Sequence, residues 1–262
     1  MAIWRLVQKE NLTDIQKLAD FLQLSEENRA QLWKTPRFVL NLPKRLADKI
    51  EKNNLNDPIL RQFVPLLDEQ VETPGFLPDP VSDKTFQKEK KILHKYAGRA
   101  LLVTTSACAM NCRFCFRQNF PYETTPDIEA SIAYFQNNPD LKEAIFSGGD
   151  PLSLSDATLS TYINAFNQIP HLKRIRFHTR FPIGIPERID ASFLELLSRS
   201  TKQIYFVLHC NHPRELDPDV IRSLRQIARL GIPLLNQAVL LKGINDNKET
   251  QLALSEALVD AG

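Results

Sequence analysis

The chain carries no charge excess of either sign: Lys and Arg total 33 against 31 for Asp and Glu over 262 residues. That balance leaves no electrostatic footprint for nucleic acid or for an anionic membrane surface. Long apolar runs are also missing. No stretch approaches the ~18 apolar residues of a membrane-spanning helix. The start, M-A-I-W-R-L-V-Q-K-E, is broken by charge where a secretory signal has its apolar segment. Cysteine is sparse, four in all with three inside eight residues, which does not match a secreted disulfide framework. Clustered thiols in a reducing compartment read as metal ligands, and a cytoplasmic protein is expected. Only eight glycines are present, so an adjacent pair is a placed feature. What remains, 43% apolar and 24% charged, suits a soluble globular enzyme of one large domain plus an accessory segment.

Residues 1–71 read as a helical segment. Asn11 or Thr13 is expected to cap a helix whose apolar face is Ile15, Leu18, Phe21 and Leu22. Ser25 caps the next, with Glu26 and Glu27 in the first turn where the helix dipole favours them. A third stretch follows Pro43, and N-D-P-I-L-R-Q-F opens another with Pro58 near its first position. The expected role is a lid or packing arm without chemistry. Residues 72–98 read as a linker and pre-barrel segment, of which E-T-P-G-F-L-P-D-P-V-S-D is an extended, proline-rich connector.

From residue 99 to 262 the pattern becomes strand, loop, helix, repeated. Strands are expected at R-A-L-L-V-T-T, E-A-I-F-S, R-I-R-F-H-T-R, Q-I-Y-F-V-L-H and P-L-L-N-Q-A-V-L-L. Helices follow from Pro126 to about Asn138 with Thr125 as cap, from Ser155 to Gln168, Ala191 to Arg199, Pro218 to Leu230 and Asn247 to Ala261. Repeated βα units imply an α/β fold with a parallel sheet, doubly wound or curled into part of a barrel, and a site at the C-terminal strand ends. Five units, with L-V-D-A-G closing the last helix, predict a partial barrel that stops before a sixth strand.

The segment T-S-A-C-A-M-N-C-R-F-C-F-R places Cys108, Cys112 and Cys115 in a Cys-x-x-x-Cys-x-x-Cys array. Iron–sulfur clusters in electron-transfer proteins normally take four cysteines, so three thiolates can hold three irons and leave a fourth open. Zinc would require another protein ligand close by, and none follows within the loop; zinc or unrelated thiols are the plainer alternatives. The spacing resembles the radical S-adenosyl-L-methionine (SAM) superfamily, in which SAM chelates the open iron of a [4Fe-4S] cluster. By that resemblance Phe114 packs near the adenine, with simple loop anchoring as the alternative. Ser147, Gly148, Gly149 and Asp150 resemble the G-G-E/D motif that contacts the SAM amino group, the alternative being a tight turn. Glycines at a strand end permit close backbone approach. His178, Thr179 and Arg180 are expected to face the SAM carboxylate or ribose. His209, Asn211 and His212 line the same rim as hydrogen-bonding residues, and Cys210 is a packed thiol. The implied chemistry is one-electron cleavage of SAM to a radical that abstracts an unactivated hydrogen, with the protein supplying position and exclusion of water.

A closer resemblance runs from about residue 56 to the end. H-K-Y-A-G-R-A-L-L-V, C-R-F-C-F-R-Q-N-F-P-Y, S-G-G-D-P-L, H-C-N-H-P-R-E and N-Q-A-V-L-L-K-G-I-N-D together resemble lysine 2,3-aminomutases. The residues after the third cysteine are most similar to the branch that makes (R)-β-lysine for modification of elongation factor P. The resemblance implies L-lysine as substrate, pyridoxal 5′-phosphate (PLP) as a further cofactor, a one-electron reductant, and migration of nitrogen from C2 to C3. Arg117 then matches the arginine on the substrate carboxylate, a task suited to a planar fork. Asp246 matches one of two aspartates that hold the ε-ammonium, and Tyr96 and Arg99 match residues of the PLP pocket. Without the resemblance, Asp246 would read as a turn residue and Arg99 as a solvated strand opener. The PLP-anchoring lysine and the second aspartate have no match here, and Lys248 does not fill that role. The expectation is therefore a C-terminally truncated aminomutase, weak in PLP binding and turnover. Other readings are a radical SAM enzyme acting on another amino acid, glutamate being disfavoured by repulsion from Asp246, or a non-catalytic Fe–S redox protein. No nucleic-acid or membrane partner is expected, and the sequence sets no oligomeric state.

Overall fold

The computed structural model describes residues 2–71, 73–122 and 127–262. Five short helices come first: α1 (Ile3–Lys9), α2 (Ile15–Phe21), α3 (Glu26–Ala30), α4 (Lys44–Ala47) and α5 (Leu60–Phe63). Asp14, rather than Asn11 or Thr13, caps α2, accepting from the backbone N–H groups of Gln16 and Lys17. Its carboxylate can reach two orphan donors and also suits the positive end of the helix dipole. Ser25 caps α3 as expected. Ahead of α5 the Asp57 carboxylate accepts from Ile59 and Leu60.

A seven-stranded sheet follows in sequential order. Strands β1 (Gln87–Glu89), β2 (Ile92–Tyr96) and β3 (Arg99–Thr105) are antiparallel neighbours. The hairpin β1–β2 lies where the sequence suggested only a linker, because Q-K-E-K-K-I-L-H-K-Y has no clean two-residue alternation. From β3 onward the sheet is parallel: α6 (Ile128–Asn137), β4 (Glu143–Gly148), α7 (Asp156–Asn167), β5 (Arg174–Thr179), α8 (Phe181–Gly184), α9 (Ala191–Ser198), β6 (Gln203–Leu208), α10 (Pro218–Ala228), β7 (Leu234–Asn236) and α11 (Lys248–Ala261). The strand order never reverses, so right-handed crossovers place the helices on one face. This is the geometry of a barrel segment, not of a doubly wound sheet. Asp127, Ser155, Asp190, Asp217 and Asn247 cap the five longer helices. Thr125 and Pro126, where the first of these was expected to begin, lie outside the described residues, as does Glu72.

Strand β7 is much shorter than P-L-L-N-Q-A-V-L-L suggests, because side-chain amides replace the ladder after Asn236. Asn236 bonds to both the N–H and the carbonyl of Cys210, each at 2.9 Å. Asn211 accepts from Val239, and Asn245 donates to the carbonyl of Val239 and accepts from Leu241. The chain thus leaves the sheet through an exposed stretch, residues 237–240, tied down by asparagine side chains.

On the helix-covered face Phe146, Phe177 and Phe206 form a continuous aromatic layer. Phe146 and Phe177 meet edge-to-face at 5.0 Å, and Phe177 stacks on Phe206 at 5.0 Å. The N-terminal helices join the same core, with Trp4 of α1 edge-on to Phe181 and beneath the fully buried Arg188. No described helix is long and apolar enough to cross a membrane. Truncating Phe177 to Ala removes a fully buried ring and is expected to cost about 3–5 kcal/mol. The same change at Phe76, 81% exposed, should stay within about 0.5 kcal/mol. Urea unfolding of the two variants against the parent checks both values.

Candidate active site

The loop after β3 carries Cys108, Cys112 and Cys115, all free thiols. Two sets of contacts fix it. From the sheet side, Gly149 donates to the carbonyl of Thr105 at 2.7 Å and Asp150 to that of Ala107 at 2.8 Å. A Cβ at Gly148 would lie 2.5 Å from the Thr105 oxygen, and one at Gly149 would lie 2.3 Å from the Ala107 oxygen. Gly148 also has a φ of +127°. The glycine pair thus allows backbone to approach backbone, and the body it admits is the cysteine loop itself.

From the other side come residues of the N-terminal helical segment. Asn11 donates to the carbonyl of Ala109 at 2.7 Å, and Asn111 binds the carbonyls of Asn41 and Val39, each at 2.9 Å. Arg113 donates its backbone N–H to the carbonyl of Gln62 and its side chain to Glu69 and the carbonyl of Phe38. A segment expected to be a packing arm is therefore one wall of the thiol loop.

Arg180, at the end of β5, is buried and reaches the thiols directly. Its Nη1 lies 3.0 Å from Cys112 Sγ, and its Nη2 donates at 2.7 Å to both Glu215 and Gln62. The guanidinium lies over the rings of Phe63 and Phe114, 4.6 and 5.2 Å from their centroids. Asp150 is buried and saturated: it accepts from the Thr179 hydroxyl and from the backbone of Leu152, Arg180 and Phe181. Burial pushes its pKa up to about 6 against these donors. Ser147 and Thr179 are likewise engaged, Ser147 accepting from Arg117 Nη1 at 3.0 Å. Arg117 is buried, with its Nε on Asp83 at 2.8 Å; its Nη2 has no hydrogen-bond partner among the described residues.

The rim thus brings together the cysteines, Phe114, Arg117, Ser147, Gly148, Gly149, Asp150, Thr179 and Arg180. The remaining expected site residues fall elsewhere. Asp246 is exposed and accepts from the Gly243 N–H, closing a turn. Arg99 opens β3, six residue steps or about 20 Å from Thr105, and Tyr96 ends β2 directly opposite it. There the Arg99 guanidinium lies over the Tyr96 ring at 4.7 Å and has no acidic partner among the described residues. A half-buried, unpaired guanidinium beside an aromatic ring suits a phosphate-bearing ligand. The sequence did not single out Gln62, Glu215 or Asp83. Gln62 lay inside an apparently inert helix, and Glu215 ended a motif read for its histidines.

The donor set fits an iron–sulfur cluster. Burial pushes all three thiols up; Cys108 is raised further by Asp150 and the other two thiols, while Arg180 draws Cys112 down and Arg117 draws Cys115 down. Mutually repelling sulfurs flanked by two arginines match a metal centre carrying negative charge, with the protons displaced on loading. Among the described residues no three His, Cys, Asp or Glu side chains converge on one ion, whereas a cuboidal cluster asks each thiolate for a different iron.

Two predictions follow from this geometry. Gly149→Ala forces the Ala107 carbonyl away and should leave the protein folded by circular dichroism, yet unable to retain iron and sulfide on anaerobic reconstitution. The second concerns pH. His178 and His209, 6.0 Å apart, are pushed down to about 3 and about 4, first by burial and then by each other and nearby arginines for His178, and by Arg180 and Arg117 for His209. Their ordinary value is 6.5, so between about 6.5 and 4 the unfolded chain binds more protons than the folded one. Stability must fall as pH drops through that window. Asp150 opposes this below about 6, one group against two. The thermal midpoint should decline from pH 6.5 to 4.5, and the double variant His178→Asn, His209→Asn should flatten the decline.

No protein-family model matches the chain. Among individual proteins, it is 40% identical to L-lysine 2,3-aminomutase of Escherichia coli K12 over 99% of its own length and 77% of the relative's. It is 38% identical to the Haemophilus influenzae protein of the same name, over 99% and 78% of the two lengths. The Clostridium subterminale L-lysine 2,3-aminomutase is 31% identical over 98% of this chain and 63% of the relative. With 40% identity over nearly its whole length and 77% of the relative's, the chain belongs to the lysine 2,3-aminomutase family.

Proposed function

We propose that the protein is a radical SAM aminomutase that uses PLP to convert L-lysine to (R)-β-lysine, which then serves modification of elongation factor P. Membership of the family supports the aminomutase reaction. The elongation factor link rests on the likeness of F-R-Q-N-F-P-Y, residues 116–122, to that branch. The observation that carries the reading at the site is the position of Arg117. It lies two residues past the third thiol, close enough to draw down Cys115, and one of its guanidinium nitrogens has no partner among the described residues.

In this reading Cys108, Cys112 and Cys115 hold the cluster. Phe114, the Ser147–Gly149 backbone, Thr179 and Arg180 form the SAM side, with Arg180 Nε a buried donor lacking a partner among the described residues. When bound, the cluster would supply SAM with one electron drawn from an external reductant, and PLP would supply a conjugated ring that spreads the unpaired electron while nitrogen moves from C2 to C3 of lysine. The chain's own residues do the positioning. Asp83 and Ser147 fix two edges of the Arg117 guanidinium and leave Nη2 to meet the substrate carboxylate. Asp246 receives the ε-ammonium, and Arg99 with Tyr96 takes the PLP phosphate and ring. The fully buried Phe63 and the half-buried Phe114 exclude water around Arg180, where a radical reaction requires it.

Anaerobic protein reconstituted with iron and sulfide, then given SAM, PLP, dithionite and L-lysine, should form β-lysine of R configuration on chiral chromatography. Arg117→Lys keeps the charge and loses the fork. It is expected to raise the KM for lysine by 10–100-fold, roughly the 1.5–3 kcal/mol of a charge-assisted hydrogen bond. Formation of 5′-deoxyadenosine without β-lysine would assign the radical to another substrate. Absence of both products from iron-loaded protein would favour a redox protein.

A further inference from the structure

The environment of Cys112 carries an inference that rests on the cluster reading and goes beyond it. Arg180 is 5% exposed and Glu215 is fully buried. The two form an ion pair at 2.7 Å whose far side, Arg180 Nη1, lies 3.0 Å from Cys112 Sγ. Glu215 is itself held rigidly: its Oε1 accepts from the backbone of Asn211 and His212, each at 3.0 Å, and from Gln62 at 3.2 Å. Gln62 donates to Glu215 and accepts from Arg180 and from Asn211. The rings of Phe63 and Phe114 flank the guanidinium. Neither charge can swing away or be screened by bulk water.

We propose that Arg180 and Glu215 form a matched pair that sets the reduction potential of the cluster held by Cys112, with Gln62 of the N-terminal helical segment fixing the geometry. Reduction adds one electron to a centre that is already negative. A guanidinium donating an N–H to a ligating sulfur stabilises that added charge and raises the potential, since hydrogen bonds to cluster sulfurs and local net charge are the protein's main controls on it. Glu215, one group further out, repels the added electron and holds the potential down. The pair delivers a directed hydrogen bond to sulfur while remaining neutral overall.

The two charges therefore predict opposite signs. Anaerobically reconstituted parent, Arg180→Leu and Glu215→Gln proteins are poised with dithionite at a series of potentials without SAM, and the reduced cluster is counted by electron paramagnetic resonance. Iron and sulfide content is measured on the same samples. Arg180→Leu should disfavour reduction at least tenfold, a potential lower by 59 mV or more for one electron. Glu215→Gln should shift it the other way, and Arg180→Lys should recover most of the loss. If Arg180→Leu fails to retain iron, the upward shift in Glu215→Gln decides. Shifts of the same sign, changes under threefold, or loss of iron from both variants would overturn the proposal and assign the pair to loop folding. Failure of the parent itself to load iron would instead overturn the cluster reading.

Discussion

A Cβ atom at Gly149 would sit 2.3 Å from the carbonyl oxygen of Ala107, so the turn after β4 and the loop after β3 can touch only where one of them has no side chain. That contact fixes three other features. It sets the height of the cysteine loop above the sheet through the bonds to Thr105 and Ala107. It turns the chain so that Asp150 enters the interior, where its carboxylate ties β4 to the first residues after β5. It thereby places Arg180, whose N–H is bonded to that carboxylate, within reach of Cys112. One pair of missing side chains thus connects the thiols to two neighbouring strands.

The polar interior is costly to build, and the structure offsets that cost by saturation. An unpaired buried charge is strongly destabilising, whereas one with partners at every oxygen is tolerable. Asp150 takes four donors, and Glu215 takes an arginine, an amide and two backbone N–H groups. Such networks contribute modest net stability, but removing one member strands the others. The N-terminal helices are held by the same logic. Gln62 and Asn11 satisfy groups of the catalytic half, so the segment is bonded to the loop that carries the thiols.

Much of this was readable before any coordinates. The cysteine spacing, the glycine pair and the five parallel strands are all local: each is written in consecutive residues, and a Ser, Asp or Asn caps each of the five longer helices. What was not readable depends on partners far apart in sequence. Gln62 meets Arg180 across 118 positions and Glu215 across 153, and no periodicity reports such pairings. The shortening of β7 escaped notice because P-L-L-N-Q-A-V-L-L has strand-forming composition throughout. Asparagine side chains ended the ladder there, an outcome propensity does not encode. Asp14 displaced Asn11 and Thr13 as a cap for a simpler reason. All three can cap, and boundaries set by one residue are the least determined part of any pattern.

The two faces of the parallel sheet show where ligands belong. In β4, β5 and β6 the residues Phe146, Phe177 and Phe206 point one way, and Glu143, Arg176 and His178 occupy the alternate positions on the first two strands. A parallel sheet covered by helices on both faces reads as nearly unbroken aliphatic sequence, and the lumen of a closed barrel is normally packed with branched apolar side chains. Here Glu143 binds Arg176, and two neutral histidines stand beside arginines. Such a face gives up the apolar burial available to a packed lumen. Leu or Val at those positions would add burial worth about 1.5–3 kcal/mol for each side chain fully covered. Retaining Glu143 and Arg176 instead leaves this face polar, held by the ion pair between them.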